Sequence, residues 1–301
     1  MRIRTIVVAV SGVLALSAFS APAALAVDAG GASPAWATVG GPTAFGAATG
    51  ADAAVGDLDV SFSAMKVNGG KPVVVGAAKH RKVPVTYTLK HAAGLDVTSD
   101  DVLNGPFLYL KSMPGSVLDD HTDPLLFGDE PANCTATSAT TASCKAVIDI
   151  RPGAGDLANS QARTWKVGGL AIQGDEPTEQ LNEAWQGGLG TVKVQREARL
   201  VGANAAPEPV KKGKTITVTS KLTRANWETN KFPAYGGQAV KLQFKKKGTS
   251  TYKDVKTVKS SSTGALKTTV KATVDGTYRY VFAGTSTTAA VTSAADAIDV
   301  K

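Results

Sequence analysis

From Leu58 onward, apolar and polar residues alternate with a period of two. Leu58, Val60 and Phe62 fall on one face, and Asp57, Asp59, Ser61 and Ser63 on the other, which is the pattern of a half-buried strand. Similar runs recur at 73–75, at Val83, Val85, Tyr87 and Leu89, and at 107–110. Further runs lie at Cys144, Ala146, Ile148 and Ile150, around Trp165 and Val167, and at Val192 and Val194. Turn-forming clusters separate them, among them Asn68-Gly69-Gly70, Pro114-Gly115 and Arg151-Pro152-Gly153. One segment, 176–185, has helical character. Residues 56–203 therefore read as an antiparallel β-sandwich.

The last strand of that domain is expected from Thr191 to about Val201. Small residues with Pro207 and Pro209 then interrupt the pattern, which marks a linker and a domain boundary at 203/204. Alternation resumes beyond it. Ile216, Val218, Ser220 and Leu222 oppose Thr215, Thr217, Thr219 and Lys221, and Val240, Leu242 and Phe244 oppose Lys241 and Lys245. Runs at 252–258, at Leu266, Thr268 and Val270, at Tyr278, Tyr280 and Phe282, near Val291, and at Ile298 and Val300 complete six or seven short strands in 204–301. That number and spacing predict an immunoglobulin-like sandwich. Tyr278 precedes Tyr280 by two residues, as a corner tyrosine precedes the core cysteine of such domains. The predicted fold class is all-β, with two β-sandwich domains, the C-terminal one immunoglobulin-like.

Between two of the C-terminal strands, residues 225–237 carry Trp227, Phe232 and Tyr235 in a stretch too rich in Asn, Pro and Gly to be a strand. Loops on rigid sandwiches commonly bind, and aromatic rings stack on sugars or anchor partners. These three residues are the candidate recognition site. The plainer reading has Trp227 capping the open end of the sandwich and Tyr235 starting the next strand.

Charge divides the chain. Residues 27–204 carry 14 Lys and Arg against 19 Asp and Glu, whereas 205–301 carry 17 against 6. These opposite signs favour docking of one domain on the other. In the C-terminal part fifteen of the seventeen basic residues are lysine. Exposed strand lysines prevent edge-to-edge aggregation, and they also attract polyanions. Nucleic-acid binders use more arginine and interleaved stacking aromatics, so nucleic acid is not the expected partner.

The start of the chain has the zones of a secretory signal peptide: Arg2 and Arg4, an apolar run from Ile6 to Phe19, and the small residues ending at Ala26. The expected leader is 1–26, with an Ala/Gly-rich flexible segment at 27–55. No apolar run reaches the ~20 residues of a membrane span, so no transmembrane anchor is expected in the mature chain. In an oxidising compartment the two cysteines, Cys134 and Cys144, are expected to form a disulfide across a hairpin, worth roughly 2–3 kcal/mol.

Several stretches carry a family resemblance. They are Ala206-Pro207-Glu208-Pro209-Val210-Lys211-Lys212-Gly213-Lys214, Lys221-Leu222-Thr223-Arg224-Ala225-Asn226-Trp227, Tyr235-Gly236-Gly237, Leu242-Gln243-Phe244 and the residues 278–282. On these the chain resembles a group of secreted actinobacterial proteins that pair a variable N-terminal β domain with a lysine-rich C-terminal immunoglobulin-like domain. The likeness is stronger over 205–301 than over 56–203. Some members are labelled calcium-binding proteins, which implies a site. Asp119, Asp120, Asp123, Asp129 and Glu130, within twelve residues, are the carboxylates that could supply it. They lack the spacing, the sixth-position glycine and the terminal glutamate of a helix-loop-helix calcium loop, so a solvated acidic loop is the simpler reading.

Catalytic chemistry finds little support. The histidines are His80, His91 and His121, and the mature chain holds no nucleophile elbow, zinc-protease helix, P-loop or dinucleotide glycine motif. The sequence points to a secreted non-enzymatic binding or structural protein of the cell envelope or extracellular matrix. It requires no cofactor, and an anionic cell-wall polymer, a glycan or a surface protein would be its partner. A calcium-stabilised protein and a carboxylate-based hydrolase are the alternatives.

Overall fold

The computed structural model describes residues 55–117, 123–175 and 180–301. The expected leader and nearly all of the Ala/Gly-rich segment lie outside the described residues.

Among the described residues, eleven strands build the first sandwich: β1 (Val55–Asp57), β2 (Val60–Val67), β3 (Val73–Val75), β4 (Arg81–His91), β5 (Val102–Tyr109), β6 (Leu125–Leu126), β7 (Asn133–Ser138), β8 (Thr141–Ile150), β9 (Thr164–Asp175), β10 (Gln180–Gln186) and β11 (Thr191–Arg196). One sheet has the antiparallel order β2-β4-β8-β7. In the other, β5 lies along one edge of β9 while β10 and β11 share the opposite edge; β1 and β3 add to these in parallel. Cys134 and Cys144 face each other across the β7–β8 hairpin and form the disulfide.

At its centre β9 carries Gly168-Gly169. A Cβ at Gly169 would stand 2.5 Å from the Phe62 ring, and one at Gly168 would stand 2.3 Å from the Phe107 ring. The strand is thus pressed between two aromatic rings, one on each face. Phe62 belongs to the main core with Trp165, Tyr87 and Leu89, and Phe107 belongs to a smaller cluster with Tyr109, Val117, Phe127 and Leu170. This is why alternation around Trp165 and Val167 fades before the strand does: close approach of the rings removes the side chains that would have continued it. The Gln186 side chain adds a further tie, accepting from Phe62 N at 2.6 Å and donating to Phe62 O at 3.0 Å.

The helical character expected at 176–185 is not realised where the segment is described. Residues 180–186 form β10 and pair with β9 at seven positions. Leu181 and Trp185 pack on the smaller cluster and Ala184 on the main core. The two-residue period is disguised because Glu183 occupies a buried position between them.

Nine strands form the second sandwich: β12 (Ala198–Leu200), β13 (Asn204–Ala206), β14 (Thr215–Arg224), β15 (Ala239–Lys246), β16 (Lys253–Lys259), β17 (Ala265–Lys271), β18 (Gly276–Phe282), β19 (Val291–Thr292) and β20 (Asp296–Ile298). β14 lies between β17 and the β12 and β13 pair, and the facing sheet runs β16-β15-β18 with β19 and β20 on the outer edge of β18. Counting β12 with β13 and β19 with β20 as single broken strands, the first, second and fifth face the fourth, third, sixth and seventh. This is an immunoglobulin-like arrangement. Tyr280, where the core cysteine would stand, crosses the sandwich and donates its hydroxyl to Val218 O at 2.8 Å. Tyr278, expected as the corner residue, packs its ring on Phe244 instead.

Two expectations at the boundary change. The strand foreseen from Thr191 to Val201 breaks at Glu197, and β12 beyond it pairs with β14, so Ala198 is buried in the second core. The proline-containing stretch read as a linker holds β13, an edge strand whose neighbour Pro207 has no N–H to contribute.

Substituting Gly169→Ala should destabilise the protein by about 1–3 kcal/mol through overpacking against Phe62. Gly174→Ala, on the same strand with open space around it, should stay within about 0.5 kcal/mol of the parent. Urea unfolding of both variants checks the difference, and equal midpoints would contradict the account.

Candidate functional site

The local chemistry of the aromatic loop at 225–237 explains its shape. Asn226 Oδ1 accepts from Glu228 N at 3.0 Å and from Thr229 N at 3.1 Å, a side-chain-closed turn. That turn drives Trp227 away from solvent. The residue is 2% exposed and lies in the core of the first sandwich, against which Phe232 also packs. The indole Nε1 donates to Gly76 O at 2.9 Å, and Trp227 N donates to Asn159 Oδ1 at 3.1 Å.

Around this wedge the chain satisfies its polar groups closely. Arg196, 7% exposed, donates Nε to Ala225 O, and its backbone N and O bond to Thr287 O and Ala289 N. Burial, with the nearby Arg224 charge second, lowers the Arg196 guanidinium to about 10, so it stays charged at neutral pH. Ala225 N donates to Glu197 O, and Gln195 Nε2 donates to Thr285 O.

The three candidate rings are therefore not an open platform. Trp227 is internal. The Arg199 guanidinium covers the Phe232 ring at 3.5 Å, and Arg224 lies 4.0 Å from the Tyr235 ring, which also meets Phe282. Sequence reasoning placed Trp227 on a sandwich of its own domain. Its acceptor lies 151 residues earlier, and no local pattern marks a contact of that range.

The candidate calcium carboxylates do not converge where they are described. Asp119 and Asp120 lie outside the described residues. Asp123 accepts from Lys111 at 2.7 Å, and that bond holds its carboxyl below the ordinary range. Asp129 is bound by Arg151, and Glu130 is exposed. A different group forms nearby: His80 Nε2 lies 2.6 Å from Asp149 Oδ1, Asp129 N donates to Asp149 Oδ2 at 3.0 Å, and Lys82 stands 3.4 Å away. His80, Asp129 and Asp149 bring one ligand atom each within 4.8 Å of the others. A cation there would have to displace Arg151 and compete with Lys82. The cluster ties the end of β8 to residues 127–130, with Asp149 N bonded to Phe127 O. No spacing in the sequence foretold it.

Lysine is the remaining chemistry. On the outer face of the β14–β17 sheet stand Lys221, Lys267 and Lys271; the opposite sheet has Lys241, Lys245 and Lys259 on its outer face and the exposed Lys253 and Lys256 along its β16 edge. Among the described residues, only Lys241 and Lys247 of this sandwich have carboxylate partners, Asp254 at 2.6 Å and Asp275 at 3.3 Å. Tyr252, the aromatic residue on this face, is covered by Arg279 at 3.7 Å.

No protein-family model matches the chain, and no curated protein does. Among solved structures, latent PorU from Porphyromonas gingivalis is 12% identical over 80% of this chain and 20% of that one, with a TM-score of 0.24; the chain thus spans about a fifth of its length. A marsupial T cell receptor is 13% identical over 80% and 73%, with a TM-score of 0.32. The D00-D0 domain of intimin is 13% identical over 78% and 98%, with a TM-score of 0.23. The immunoglobulin-like assignment rests on strand order.

Trp227→Ala should cost about 3–5 kcal/mol as a large buried ring is lost. Trp227→Phe should cost less, about 1–2 kcal/mol, mainly by leaving Gly76 O without its donor. Chemical denaturation ranks the two, and a neutral Trp227→Ala would refute the wedge. Because Asp123 and Asp129 already hold cationic partners, the melting temperature should be the same in millimolar calcium and in chelator; a rise in calcium that the chelator abolishes would contradict this.

Proposed function

We propose that the protein is an exported, non-enzymatic binding or structural component of the cell envelope or extracellular matrix, held there by the lysine-rich second sandwich. Lysines without carboxylate partners on both sheet faces carry this reading. Their summed field attracts a polyanion at long range. An anionic wall polymer or glycan fits such diffuse point charges; a surface protein with an acidic face is the other partner of the same kind. The three arginines of this sandwich already lie over the Phe232, Tyr235 and Tyr252 rings, which leaves those rings no open stacking surface for bases.

The non-enzymatic part draws support from the side chains usually recruited for catalysis. Of the described histidines, His80 is engaged by Asp149 and the His91 ring meets Ala92 O, and both cysteines are in the disulfide; His121 lies outside the described residues. Glu183 is buried, with Ser116 Oγ, Val117 N and Trp185 Nε1 on its carboxylate, and so holds a loop over the smaller aromatic cluster. The Trp227 wedge favours a spacer in which the first sandwich is presented in a fixed pose.

Sedimentation with purified actinobacterial cell walls tests the retention. The full chain should bind at about 0.15 M salt and be released towards 1 M, where the screening length falls from about 8 Å to about 3 Å. Replacing Lys221, Lys267 and Lys271 together by Gln should move release to lower salt with the melting temperature unchanged. Retention indifferent to salt and to these substitutions would overturn the electrostatic reading.

A further inference from the structure

The first sandwich contains a cleft that the proposed envelope attachment does not use. It opens between the end of β2 with its following turn and the β9 and β11 side of the other sheet, with a volume of about 400 Å³. Its floor is apolar: Met65, Val67, Val167, Leu189 and Val192. Its rim carries Lys66, Lys71 and Lys193, and among the described residues no acidic one lines it. None of the three lysines has a carboxylate partner among the described residues. This happens in the half of the chain where acidic residues outnumber basic ones, 19 to 14 over residues 27–204. The local sign is the reverse of the domain's.

The walls are preformed. Asn68, Gly69 and Gly70 all take left-handed backbone, with φ of 51°, 61° and 79°. The Asn68 side chain locks that turn by donating Nδ2 to Lys71 O at 3.2 Å and to Pro72 O at 2.8 Å. Opposite, Leu189 N donates to Val167 O and Val167 N to Gly190 O, which latches the loop bearing Leu189 onto β9. Two positive-φ residues that are not glycine, Ala64 and Asn68, flank this one cleft. Such conformations cost free energy and persist where the surrounding structure enforces them.

We propose that the cleft binds a small amphiphilic anion, an apolar body carrying one carboxylate or phosphate. The volume falls within the range of small-ligand sites, and an apolar floor with a few convergent polar groups is their usual make-up. The hydrocarbon lies on Val67, Val167 and Leu189, and the head group lies among the three ammonium groups. Cationic amphiphiles are repelled, and neutral ones forfeit the Coulomb attraction.

Calorimetric titration of the full chain with octanoate, octyl phosphate, octanol and octyltrimethylammonium tests this. Saturable one-to-one binding is expected for one or both anions, octanol should bind at least about tenfold more weakly, and the cation should not bind. The stronger of octanoate and octyl phosphate identifies the head group. Lys71→Glu combined with Lys193→Glu should weaken anion binding by at least about tenfold. Both lysines are exposed, so the melting temperature should be unchanged. Leu189→Trp should block the floor. Binding by neither anion, equal binding by the cation, or undiminished binding in the double variant would overturn the proposal.

Discussion

The structure depends on one side chain that left its own domain. Trp227 is contributed by the second sandwich and buried in the core of the first. A side chain of this size removes roughly 200 Å² from water, worth up to about 5 kcal/mol at ~25 cal/mol per Å². That gain requires the polar groups around it to be satisfied, and they are: the indole by Gly76 O, the backbone by Asn159, and the buried Arg196 by Ala225 O. Losing any one partner would leave a buried donor or charge exposed to the full desolvation cost. The described residues accordingly form part of a single compact unit.

Opposite net charges made electrostatic docking the natural expectation, yet the contact is built otherwise. Of the ion pairs among the described residues, none joins a side chain of the first sandwich to one of the second; Arg199 with Glu197, two residues apart, sits where the chain crosses. Donation by Gln195 and Arg196 to loop carbonyls and by Trp227 N to Asn159 Oδ1, around one apolar wedge, takes that place. Such an interface is little affected by salt, because screening acts on exposed charges rather than on buried apolar area.

The fold class was legible because two-residue alternation is dictated by burial on one face, and most strands have it. It failed where a strand has no ordinary faces. β9 runs on through Gly168-Gly169 because rings from both sides replace its side chains, and β10 hides its period behind the buried Glu183. Candidate sites were less legible. Aromatic residues in a polar loop look the same whether they bind a ligand or another domain, and the difference for Trp227 is a contact with Gly76. The acidic run around Asp123 and Asp129 looked like a ligand set because Lys111 and Arg151 lie elsewhere in the chain. The lysine-rimmed cleft was invisible for the same reason, since Lys66, Lys71 and Lys193 come together only through the pairing of β3 with β11 and the closure of the sheets.

A division of labour follows from where the charges are left unspent. In the first sandwich Asp123, Asp129 and Asp149 are held internally by Lys111, Arg151, His80 and Lys82, and the three cleft lysines stand out against the acidic balance of the rest. The second sandwich has too few carboxylates to neutralise its lysines, and its field therefore acts outward. Because the joint between the two is apolar, that outward field is not discharged by docking. A polyanion held by the second sandwich, as proposed, would leave the first with both its pose and its cleft.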